Sequence, residues 1–229
     1  MKTVAFLCFC FLYRYTLGNC PSNSLEIKSV EDVYEFLWEK NIDIAYETIR
    51  GDFLIKMQNG SLQAERYVNF TLQDINYVLN VTEMLKEMSV KVTQPNDLRD
   101  FMKGRYSSYK RFADILLNQY FFKSAPPIQP TPAMRKYLSF YRNLLEKEDP
   151  LYFAVGLLPC SRLWVWLGDN LRTPPTNAYY TWKVENMGGH PEKYRALLNK
   201  YLNTTEKVSK ANTIFRTQMQ NEHDFFFSS

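Results

Sequence analysis

Histidine is almost missing from this chain: 229 residues hold two, His190 and His223. Because imidazole is the commonest metal ligand and general base, that scarcity limits the metal and haem chemistry available. Glycine is also scarce, at 8 residues against 16 Phe, 16 Tyr and 4 Trp. Such a balance favours long packed helices with an aromatic interior over a turn-rich β fold. Strand-like alternation and internal repeats are lacking too, so the chain reads as all-α. Its 28 basic and 24 acidic residues are scattered, with no polybasic stripe that would point to nucleic acid or an anionic membrane. The length suits one domain with a substantial core.

The first stretch, "MKTVAFLCFCFLYRYTLG", sets Lys2 before an apolar run from Val4 to Tyr13 and then small or polar residues. That is the pattern of a secretory signal peptide, and the run falls short of the roughly 20 apolar residues that span a bilayer. The expected division is a signal peptide over 1–18 and a helical domain over 19–229. Four N-glycosylation sequons, at Asn59, Asn69, Asn80 and Asn203, support a secreted, extracellular glycoprotein. Removing the leader takes Cys8 and Cys10 with it and leaves Cys20 and Cys160, which an oxidising compartment could join. Against that pairing, the N-terminal segment would have to reach inside the bundle, with the Cα atoms within about 7 Å. Cys160 is therefore expected as a free thiol.

Successive helical stripes fill the rest. "SVED" at 29–32 resembles a capping box ahead of one helix through "VYEFLWEKNIDIAYETI", on which Val33, Phe36, Leu37 and Ile44 share a face. After a turn at "QNGSL", Ser61 is placed to cap a helix over about 62–88, and its inward stripe includes Tyr67, Phe70, Asp74, Tyr77 and Val81. Further helices are expected over 97–122, over 133–147 with Tyr137 and Tyr141, and from Pro150 through Cys160 to "TPP" at 173–175. "NAYYTWKVENMGG", "PEKYRALLNKYL" and a final helix carrying Phe215, Glu222 and Phe225 complete the bundle.

Asp74, Cys160 and Glu222 each lie on the apolar stripe of a different helix, where an unpaired charge is expensive. They should therefore meet. Together they supply a nucleophile, a neighbouring acid or base and a polarising carboxylate, which suffices for covalent catalysis without a metal or cofactor.

Four short motifs in order carry a family resemblance: "LQDINY" at 72–77, "LLPC" at 157–160, "NMGG" at 186–189 and "EHDFF" at 222–226. With the helix layout, they resemble the TenA/thiaminase II family over about 30–227. The resemblance implies a single-domain, heme-oxygenase-like multi-helical bundle acting on a small molecule, thiamin or a thiamin-derived aminopyrimidine. In that family pattern Cys160 attacks the pyrimidine ring, Glu222 protonates its ring nitrogen and Asp74 binds its amino group. Tyr77 and Tyr137 position the ring. Trp164 and Met187 stand where the family has pocket tyrosines, on the leaving-group side of the substrate. The resemblance also implies a homo-oligomer, a tetramer, which glycans on several helices would oppose. A haem protein of this fold needs a histidine on its first helix, and 29–50 has none. The rival reading from another class is a secreted small-molecule-binding protein that keeps the pocket without turnover.

Overall fold

The computed structural model describes residues 32–119 and 127–229, and the expected signal peptide and Cys20 lie outside them. Among the described residues there are ten helices and no strand. They are α1 (Val33–Glu39), α2 (Ile42–Ile49), α3 (Asp52–Asn59), α4 (Ala64–Lys91) and α5 (Asn96–Gln119). After these come α6 (Pro132–Lys147), α7 (Pro150–Asn170), α8 (Tyr180–Glu185), α9 (Glu192–Tyr201) and α10 (Thr205–Phe227).

Polar side chains at the helix starts set much of this pattern. Asp32, Thr131, Asp149 and Thr204 each accept a hydrogen bond from a backbone N–H of the helix they precede, and Pro132 and Pro150 occupy first-turn positions where no donor is needed. Asp32, the last residue of the expected capping box, starts α1, and Ser29 lies outside the described residues. The single helix expected over 33–49 is broken in two. Fully buried Asn41 donates through Nδ2 to the Leu37 carbonyl and to Asn212 Oδ1 on α10, both at 2.8 Å, so its side chain takes up a helix carbonyl and ties the break to the last helix. α3 then ends at Gly60 in the left-handed region (φ 77°), where the backbone N–H reaches the Lys56 and Met57 carbonyls. Ser61 does not cap α4. Its N–H and hydroxyl both donate to Asn59 Oδ1, leaving Gln63 as an N-cap without a side-chain bond.

α7 is the axis of the bundle. It packs against α10, α6, α8 and α9, while the 28-residue α4 pairs with α5 and α6. Twelve residues of α7 are buried, which is why its sequence is apolar all round. It is also the one helix among the described residues long and apolar enough to cross a membrane, and 67% of that window is buried within the bundle. Two glycines allow its neighbours close: a Cβ on Gly156 would stand 2.6 Å from Leu144 Cδ1, and one on Gly168 2.8 Å from the Asn186 backbone. Pro159, inside the helix, immediately precedes the cysteine.

Candidate active site

Three helices converge on one thiol. On α4, Phe70, Thr71, Asp74, Tyr77 and Val78 recur at three- and four-residue spacing and so share a face. α7 contributes Cys160, Ser161, Trp164 and Val165 in the same way, and α5 adds Arg105, Ser108, Tyr109 and Phe112. Between them lies a cavity of about 840 Å³, whose lining also includes Tyr179 and Trp182. Such a volume suits a small organic molecule.

Cys160 carries a free thiol at the wall of this cavity. Its neighbours are Tyr77 and Glu222, whose side chains both interact with the sulfur. Glu222 is 1% exposed. One of its carboxylate oxygens, Oε1, accepts from the Tyr137 hydroxyl, and the other, Oε2, accepts from the Trp164 indole N–H at 3.0 Å. The Tyr77 and Tyr141 hydroxyls are 2.9 Å apart, and those of Tyr141 and Tyr137 are 3.5 Å apart. These hydrogen bonds form a chain, Tyr77–Tyr141–Tyr137–Glu222, with both ends beside the reactive sulfur.

Burial sets the protonation states. It pushes the Cys160 thiol well above its usual pKa, and the negative charge of Glu222 adds to the rise. The thiol is neutral at pH 7. Burial likewise raises Glu222, although hydrogen bonds from Tyr137, Trp164 and Cys160 favour its ionised form. Asp74 is pushed up to about 7, first by burial and then by the charge of Glu222. Among the described residues Asp74 has no hydrogen-bond partner, so its carboxylate faces the cavity unengaged.

Asp74, Tyr77, Tyr137, Cys160 and Glu222 are thus brought together, but not as one lining. Asp74, Tyr77, Cys160, Trp164 and Met187 border the cavity; Tyr137 and Glu222 stand one layer behind it and reach it through Cys160 and Trp164. Their depth follows from the close packing of α6 and α10 on α7. Nor is the cavity sealed, since its border includes the exposed side chains of Phe112, Ile115 and Met187. Met187 is a rim residue, whereas Trp164 lies in the wall among Phe70, Trp182, Phe225 and Phe226. Sequence reasoning missed Tyr109 and Arg105, whose signal was the α5 stripe Leu98, Met102, Arg105, Tyr109, Ala113 and Leu116. No group of three or more His, Cys, Asp or Glu among the described residues could hold a metal ion. His190 is exposed, and His223 contacts Asp224 and Gln220.

The all-α bundle has counterparts among solved structures. A TenA homologue from P. horikoshii OT3 superposes with a TM-score of 0.68 at 19% identity, over 85% of this chain and 96% of that one. A protein called a TenA family transcription regulator, from Silicibacter sp. TM1040, gives 0.71 at 14% identity, over 85% and 94%. A TenA homologue from Pyrococcus furiosus gives 0.69 at 16%, over 85% and 98%. The chain therefore has the TenA fold. No family model matches its sequence, and no curated protein does.

Proposed function

We propose that this protein is a thiaminase II-like enzyme that cleaves thiamin or a thiamin-derived aminopyrimidine at the pyrimidine methylene. The supporting observation is the thiol of Cys160, beside buried Glu222 and Tyr77, at the wall of an aromatic cavity in which Asp74 is unpartnered. A TenA-like thiaminase from Sulfolobus solfataricus shares the fold, with a TM-score of 0.59 at 18% identity over 84% of this chain and 92% of that one.

In this reading the aminopyrimidine lies between aromatic side chains with its exocyclic amine donating to Asp74. The Cys160 proton passes to Glu222 as the sulfur adds to a ring carbon, so no standing thiolate is required. That proton is then relayed from Glu222, one layer behind the cavity, to the ring nitrogen. The electron pair displaced from the ring leaves through the methylene, breaking the bond to the leaving group. Water or an organic base adds to the exposed methylene carbon, the C–S bond breaks, aromaticity returns and the thiol regains a proton. Trp164 and Met187 border the cavity, and in this reading they face the leaving group.

Secretion belongs to the same proposal. Asn59, Asn69, Asn80 and Asn203 are all exposed, so each sequon can accept a glycan. Glycosidase treatment of secreted protein is expected to lower its mass by more than one glycan, with the mature chain beginning near Asn19.

The deciding experiment incubates purified protein with thiamin and follows the hydroxymethylpyrimidine product by chromatography. Consumption of thiamin with release of the pyrimidine supports the enzyme. Binding that protects thiamin would replace it with a secreted carrier.

A further inference from the structure

A second cavity, of about 490 Å³, adjoins the first and shares Arg105, Ser161, Val165 and Gly188 with it. Two guanidinium groups stand in its wall, and their circumstances differ. Arg162 is neutralised: it pairs with Glu35, donates to the Tyr34 carbonyl at 2.7 Å and lies over the Tyr34 and Trp38 rings. Arg105 pairs with no carboxylate among the described residues. Its guanidinium carbon lies 5.2 Å from the Tyr109 ring centroid and 5.4 Å from that of Tyr194, and its Nε is buried without a hydrogen-bond partner. Aromatic faces hold a cation in place, but they do not neutralise it.

The large cavity thus has an acid and a base, Asp74 and Arg105, neither paired with a group of opposite charge. Asp74 and Arg105 form no ion pair with each other. Arg105 occupies the junction of the two cavities, whereas Asp74 is on α4 beside Cys160. A ligand that satisfies both groups donates hydrogen bonds at one end and is anionic at the other. A cationic leaving group without a compensating anion meets the Arg105 charge uncompensated.

We infer that the natural ligand is an aminopyrimidine derivative bearing an oxyanion, phosphate or carboxylate, which Arg105 binds at the junction of the two cavities. This rests on the pyrimidine reading of the Asp74 end. Planar guanidinium donors suit either oxyanion, and Ser108 and Ser161 provide hydroxyls in the same wall.

The test is calorimetric titration of the catalytically silenced Cys160→Ser protein, with Arg105 intact or replaced by Gln or Lys. The ligands are thiamin, thiamin monophosphate, thiamin acetic acid and hydroxymethylpyrimidine alone. With Arg105 intact, at least one oxyanion-bearing form should bind about tenfold or more tighter than thiamin, the size expected of a charge-assisted hydrogen bond. Phosphate and carboxylate forms gaining alike, or only one of them gaining, fixes which oxyanion is taken. Arg105→Gln should reduce that preference to within about twofold while hydroxymethylpyrimidine binds as before, and Arg105→Lys should keep part of it. Equal affinity for thiamin and both anionic forms with Arg105 intact, or a preference that survives Arg105→Gln, overturns the proposal. If hydroxymethylpyrimidine does not bind at all, the pyrimidine reading fails instead. Inorganic pyrophosphate then decides the anion site by itself: it should raise the melting temperature of the protein with Arg105 and not that of Arg105→Gln, and no rise in either overturns the site.

Discussion

The two sides of Cys160 are built on opposite rules. Behind the sulfur, the buried hydroxyls of Tyr77, Tyr141 and Tyr137 and the carboxylate of Glu222 form a hydrogen-bonded chain, which Trp164 joins from the cavity wall. In front of it, Asp74 and Arg105 border open space without partners of opposite charge. The rear is finished before any ligand arrives; the front is finished only by one. Buried polar groups are costly unless satisfied, so the rear contributes rigidity and holds the acid in position. The front accepts a standing penalty, which is the usual mark of a binding surface and not of a stabilising core.

The largest expected effect is at the boundary between the two sides. Cys160→Ser should lower turnover at least about 1,000-fold while leaving the melting temperature close to wild type, because the change removes little volume. Product chromatography and calorimetry on the same preparation check both halves. Glu222→Gln comes next, with an expected loss of roughly 100- to 10,000-fold in rate, since a positioned proton donor is removed while its shape is kept.

Tyr141→Phe probes the rear without touching the sulfur. It removes the hydroxyl linking Tyr77 and Tyr137, and should cost about 1–3 kcal/mol in urea unfolding. A neutral result would mean the hydrogen-bonded chain is not a connected unit.

Asp74→Asn should act in the opposite direction on stability. The folded-state pKa of Asp74 is about 7, above its usual 3.8, so the folded protein holds this proton more tightly than the unfolded chain does. The Asp74 charge therefore costs nothing below about pH 4, a growing amount between pH 4 and 7, and its full penalty above that. Allowing for its partial exposure, Asp74→Asn should gain about 1 kcal/mol at pH 8 and nothing at pH 4, while weakening pyrimidine binding at pH 8. Loss of stability at pH 8 would show that the front is not an unsatisfied surface. Cys20→Ser should change neither rate nor stability, which unfolding curves and product assays together can check.

Helix order and the convergence of Asp74, Cys160 and Glu222 were legible in the sequence because each acid or thiol interrupts an otherwise apolar stripe. A stripe tells which way a residue faces, however, and not how deep it lies. That is why Glu222 and Tyr137 were expected at the cavity wall when α6 and α10 hold them one layer behind it. Arg105 was invisible for a related reason: an arginine between Met102 and Tyr109 reads as a polar edge until Tyr194, from a different helix, is brought over its other face. Likewise the interruption of the first helix depends on Asn41 meeting Asn212, 171 residues later, which no local pattern encodes.

Trp164 gives the site an optical voice. Its indole N–H points at Glu222 Oε2, and its ring lies 5.5 Å from that of Trp182 and 5.9 Å from that of Phe70, at the edge of the space a ligand would fill. An indole emits according to the electric field across it, so gain or loss of the Glu222 charge and the arrival of a flat ring should each shift Trp164 fluorescence. The difference spectrum between this protein and its Trp164→Phe variant would then separate proton movement from ligand arrival in real time, with no label attached.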